Sequence, residues 1–105
     1  MARGLIDFMK IDWVSPAPGV RHRAFLKDGQ KLRLVEFSDA FAEAGWCVKG
    51  HAGYVINGRI FIEFDGEKVE FKAGDGLFIP GGEADRHRGS VPEGEKALLV
   101  MFEKI

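Results

Sequence analysis

The chain has 105 residues, 46% of them hydrophobic, with 15 Lys and Arg set against 16 Asp and Glu. That length admits one domain with one real core, and that hydrophobic share excludes a disordered chain. A charge so nearly balanced, with no basic stripe, excludes the electrostatic footprint of a nucleic-acid binder or a membrane-surface protein.

The opening stretch MARGLIDFMKIDWV carries no sustained apolar run and no small-residue cleavage site, so no secretory signal is expected. No segment approaches the roughly 20 apolar residues of a membrane helix. The single Cys47 cannot form an internal disulfide, which fits a cytoplasmic protein. Residues 1–19 read as an N-terminal arm. It ends in Ser15-Pro16-Ala17-Pro18-Gly19, a segment expected to break any regular element.

Residues 20–105 read as one barrel domain. Val20, His22, Ala24 and Leu26 alternate with Arg21, Arg23 and Phe25, the pattern of a strand with two unlike faces. Asp28-Gly29 turns the chain into a second strand, Leu32 to Phe37. Ser38 to Ala44 has helical propensity but is too short for a stable helix, so a loop or single turn is expected. Strands follow at Tyr54 to Ile56 and Arg59 to Phe64, ending in Asn57-Gly58 and Asp65-Gly66, and these dipeptides predict two consecutive hairpins. Val69 to Phe71 continues the meander, and Ala73 to Gly76 makes the next turn. Leu77 to Ile79 is a short strand stopped by Pro80. Ala84 to Arg88 reads as a further strand, Ser90 to Glu95 as a polar loop, and Ala97 to Phe102 as a fully buried closing strand. Many short strands with frequent turns and almost no helix predict an all-β sandwich or barrel. The nine Phe residues fill its core or line an apolar pocket.

From Gly53 to Gly58, and from Gly74 through Pro80 to Gly82, the chain resembles the cupin superfamily. The first cupin motif runs roughly G-x5-H-x-H-x3/4-E-x6-G and the second G-x5-P-x-G-x2-H-x3-N. Gly58 matches the closing glycine of the first, and Gly74, Pro80 and Gly82 match the first three fixed places of the second. The resemblance spans about residues 20–104 and implies a jelly-roll barrel of two packed antiparallel sheets, open at one end. At the family's metal-ligand places the chain departs from the pattern. His51 occupies the glutamate place. The two histidine places fall on Gly45 and Cys47 with the shorter spacer, or Ala44 and Trp46 with the longer. Asp85 takes the second motif's histidine place and Gly89 its asparagine place. The usual site of three histidines and one glutamate cannot be built.

A different site can. If the framework alignment holds, His51 and Asp85 point into the barrel, and strand alternation carries His87 and Cys47 in with them. Cys47, His51, Asp85 and His87 then form a tetrahedral set for zinc, and iron(II) can use the imidazoles and the carboxylate. Each residue also has a purely structural reading. The histidines can be partly buried and hydrogen-bonded, Asp85 can pair with Arg86 or Arg88, and Cys47 can be a small buried hydrophobe. His22, between two arginines, reads as solvated, and Trp46 and Tyr54 as core aromatics. The glycines at 74–76 and 81–82 suit turns rather than a phosphate cradle, since no helix follows them. Two functions follow from the resemblance. One is a divalent-metal enzyme with His51, Asp85 and His87 acting on a small carbonyl- or hydroxyl-bearing metabolite. The other is a metabolite-binding module without metal. The edges of an open barrel and the family's habit suggest a homodimer.

Overall fold

A computed structural model describes residues 2–105. Eight strands occur in order: β1 (Val14–Ala17), β2 (Val20–Lys27), β3 (Gln30–Ser38), β4 (His51–Phe64), β5 (Glu67–Lys72), β6 (Gly76–Ile79), β7 (His87–Ser90) and β8 (Lys96–Lys104). The only helical pieces among the described residues are two 3-10 turns, Phe8–Lys10 and Glu83–Asp85. No helix among the described residues is long and apolar enough to cross a membrane. All pairings are antiparallel. One sheet runs β1-β2-β3-β8-β4 with β6 on the far side of β4, and a second pairs β4 with β5 and β7. The two curl into the expected cupin-type jelly roll.

The strand shared by both sheets decides the architecture. The first half of β4 pairs with β6 and β8, and its second half with β5 and β7. Between them Val55 faces Leu99 and Asn57 faces Leu98, so Ile56 is an extra residue, a β-bulge. Gly58 completes the bend with φ of 73°. A Cβ at Gly58 would lie 1.9 Å from the Lys96 carbonyl oxygen, so both the backbone angle and the close approach require glycine. Asn57-Gly58 therefore does not make the expected hairpin. The chain bends there, but the halves on either side pair with other strands rather than with each other. The bulge also shifts the inward parity, from odd numbers (Val55) to even ones (Ile60, Ile62).

The other turns follow their residues. Asp28 and Gly29 both have positive φ, and Lys27 pairs with Gln30, as a two-residue hairpin requires. Asp65-Gly66 joins Phe64 to Glu67 in another two-residue turn, in which only Gly66 has positive φ. The Ser15 to Gly19 segment differs from expectation. Val14–Ala17 forms a short edge strand on β2, and Pro16 is tolerated there because an edge need not donate every N–H. Ala84 to Arg88 also differs, because a 3-10 turn occupies Glu83–Asp85 and the strand starts only at His87.

Strand register orders the barrel interior into rows. At one end Val20, Phe37 and Ala97 neighbour one another, then Val35, Leu99 and Val55, all buried and apolar. Toward the other end the same face carries Arg33 beside Met101, then Lys31 opposite Glu103. The closed end is thus hydrophobic and the open end titratable.

Candidate functional site

The open end of the barrel leads into a cavity of about 690 Å³. The bend in β4 puts a site there. A straight strand of 14 residues would hold its ends about 43 Å apart. Here the ring of His87, directly opposite Phe64 at the end of β4, lies 6.1 Å from the Phe64 ring and 5.2 Å from the ring of His51 at its start. The imidazoles of His51 and His87 meet edge to face, at 78°.

Cys47 joins them through the backbone. Its N–H donates to the His87 carbonyl at 2.7 Å, and the His87 N–H donates back at 2.9 Å, an isolated bridge outside the named strands. Among the described residues, Cys47, His51 and His87 form one group whose candidate ligand atoms all lie within 4.8 Å of one another. The thiol is free and half-buried, and His87 is buried at 3% exposure.

Hydrogen bonds fix the tautomer of each imidazole. His87 Nδ1 lies 3.0 Å from the Asp85 carbonyl oxygen, which can only accept, so Nδ1 carries the proton. His51 Nδ1 lies 2.5 Å from Glu103 Oε2 and donates to that carboxylate. In its neutral form each ring then carries its lone pair on Nε2, the arrangement that prepares a histidine to ligate a metal. These three side chains would hold a divalent ion that takes thiolate and imidazole donors. The donor set fits zinc or iron(II).

Asp85 does not join this group. It lies in the 3-10 turn rather than on a strand, so it does not alternate with His87, and only its carbonyl serves the site. The carboxylate near the histidines is instead Glu103, on the inner face of β8 and 8% exposed. Arg33 Nη2 donates to its Oε2 at 3.1 Å, Arg33 Nε makes a charge contact with Oε1 at 2.9 Å, and Lys31 Nζ stands 3.6 Å from Oε1. Burial raises the Glu103 carboxyl, but the hydrogen bond from His51 and the charges of Arg33, His51 and Lys31 outweigh it and bring it to about 2. Glu103 is therefore an anion that orients His51.

Sequence reasoning missed Glu103, Arg33 and Lys31. The available signal was parity: Leu99, Met101 and Glu103 are i, i+2 neighbours on β8, and an inward glutamate on such a strand marks a polar end of a core. His22 is not solvated. It is half-buried, and its Nδ1 accepts from Arg33 Nη1 at 3.1 Å. Burial, then Arg33 and Lys31, lower its pKa against the pull of Glu103, which favours the neutral ring. Trp46 lies outside the core, with the guanidinium of Arg86 4.8 Å and that of Arg88 4.5 Å from its ring centre. Those arginines pair with Asp65 and Glu63 rather than with Asp85. Tyr54 is exposed on the outer face of the sheet.

The sequence profile of a family described as "Cupin domain" matches residues 48–103. Solved structures share the fold over nearly the whole chain. An RmlC-like cupin from Shewanella frigidimarina is 16% identical, with 99% of this chain and 93% of that one covered and a TM-score of 0.74. The polyketide cyclase RemF from Streptomyces resistomycificus is 18% identical over 95% and 78%, with a TM-score of 0.74. KdgF from Halomonas sp. is 21% identical over 92% and 89%, with a TM-score of 0.71. No curated protein sequence matches the chain.

Proposed function

The chain belongs to the cupin family, and from that premise we propose that its barrel is the active site of a divalent-metal-dependent enzyme acting on a small carbonyl- or hydroxyl-bearing metabolite. The observation that carries this reading is the convergence of Cys47, His51 and His87 within 4.8 Å at the cavity, both imidazoles anchored through Nδ1. That a polyketide cyclase shares the fold supports an enzymatic reading.

A bound zinc or iron(II) supplies Lewis acidity toward an oxygen of the ligand. The rest is the work of the chain. His51 and His87 serve as neutral donors and Cys47 as the thiolate donor. Asp85 orients His87 through its carbonyl, and Glu103 orients His51. Arg33 and Lys31 keep Glu103 ionised. The apolar rows beneath give the ligand's non-reacting part a dry wall, and burying the ligand against them excludes water from the reacting end.

The active unit in this proposal is a homodimer. Phe78, Ala52, Phe102 and Leu32 form one cross-strand row on the outer face of the larger sheet, with Tyr54 beside Val100 in the next. Phe78 is 81%, Tyr54 49% and Phe102 39% exposed. Together with Ile56 they leave large apolar side chains exposed on this face, surface that a partner can cover. A second copy covers it best, because two-fold sheet-on-sheet packing buries the same patch on both partners.

The test is the metal content of protein purified without chelator. Zinc or iron near one equivalent in wild type, falling by half or more in His51→Ala and in His87→Ala, supports the proposal. Metal that survives both substitutions places the site elsewhere. No uptake from zinc, iron(II) or manganese(II) leaves a metabolite-binding barrel without metal.

A further inference from the structure

The charges lining the cavity do not balance. Lys31, Arg33 and Lys49 line it against Glu43 and Glu103; Lys104 also borders it without an ion pair among the described residues, but it follows the inward Glu103 on β8 and so falls on the outer face of that strand. Most of these groups are already engaged. The guanidinium of Arg33 is divided between Glu103 and His22, Lys31 stands beside Glu103, and Glu43 Oε1 accepts from the Gly89 N–H at 2.9 Å. Lys49 is different. It lines the cavity between Cys47 and His51, it is exposed, and among the described residues it makes no ion pair. Beyond it the cavity wall is apolar, formed by Phe37, Phe41, Ile60, Ile62, Leu99 and Met101.

We propose that the cavity takes an amphipathic carboxylic acid, whose carboxylate is received by Lys49 at the mouth and whose apolar body lies along the Phe37–Phe41 wall. This rests on the reading of the barrel as a small-molecule site but not on the metal. A carboxylate suits the mouth better than a phosphate does. Phosphate recognition favours a free guanidinium fork or a nest of backbone N–H groups, and the one fork here is committed to Glu103. A single flexible ammonium suits one negative charge, and the apolar wall rewards a ligand whose remainder is hydrocarbon.

The probes are hydrocinnamate, its neutral amide and inorganic phosphate, titrated calorimetrically into chelator-stripped protein so that no metal mediates the contact. Expected are saturable binding of the acid, at least tenfold weaker binding of the amide, and no heat from phosphate. Lys49→Ala should weaken the acid about fivefold, and Lys49→Arg should restore it. Raising the salt concentration should weaken the acid but not the amide. Equal affinity for acid and amide, binding of phosphate as tight as that of the acid, no binding of the acid, or an unchanged Lys49→Ala variant each overturns the proposal. Zinc titration of the same wild type and Lys49→Ala proteins separates the two readings. Failure to take up zinc removes the metal and leaves the acid titration standing, while normal zinc uptake with lysine-independent acid binding removes the carboxylate ligand alone.

Discussion

His51 and Glu103 sit side by side on the inner faces of neighbouring strands and share a 2.5 Å hydrogen bond, although 52 positions separate them in the chain. Glu103 in turn is gripped by Arg33, so His51 takes its orientation from a buried ion pair rather than from its own strand. Replacing Glu103 with Gln frees the His51 tautomer and leaves Arg33 without its counter-charge. Zinc affinity, read by competition with a chromophoric chelator, should fall roughly 10- to 100-fold. Unfolding free energy in urea should fall by about 3 kcal/mol. An affinity within twofold of wild type would remove the orienting role.

The same carboxylate sets an acid limit to stability. Its pKa of about 2 in the fold lies below the ordinary 4.5. A carboxyl depressed by folding contributes stability above its unfolded value and loses it as pH falls toward its folded value. Wild type should therefore lose about 2–3 kcal/mol between pH 4.5 and pH 2 from this group. Glu103→Gln should show a flatter profile over that window, measured as urea midpoints against pH. Parallel profiles would assign the acid transition to other groups.

Asp85 and Cys47 should separate cleanly. The Asp85 side chain holds nothing in the site, so Asp85→Asn should leave zinc affinity within about threefold, whereas Cys47→Ala removes a donor and should cost at least tenfold. Cys47→Ala should change stability without metal by no more than about 1 kcal/mol, since a half-buried small side chain leaves little cavity. A large loss of zinc in Asp85→Asn would return Asp85 to the ligand set.

Gly58 carries the bend that brings both ends of β4 to one mouth. A Cβ there meets the Lys96 carbonyl in a backbone conformation that L residues avoid. Gly58→Ala should lower stability by about 3 kcal/mol or more. It should also weaken zinc binding although the residue touches no donor. Calorimetric melting with and without zinc checks both.

The outer-face row predicts the effect of charge on assembly. Phe78→Glu should turn a dimer into a monomer in sedimentation equilibrium while the far-ultraviolet circular dichroism and zinc uptake stay unchanged. A wild type that sediments as a monomer at working concentration would leave that face without a second copy.

Most of the strands, the Asp28-Gly29 and Asp65-Gly66 turns and the family framework were legible in the chain, because alternation and turn chemistry are local and each carries its own physical cause. Residue type also singles out Cys47, His51 and His87, although the strand alternation assumed for Cys47 and His87 does not hold. What surrounds them follows from long-range packing. Asn57-Gly58 offers the same positive φ to a hairpin and to a bulge, and the Lys96 carbonyl, 38 positions away, selects the bulge. Asp85 loses its place because a turn before β7 interrupts the alternation assumed for it. Glu103 gains one because the pairing of β8 with β3 and β4 sets it between Arg33 and His51. Pairings between distant strands depend on register, and register is a property of the whole sheet.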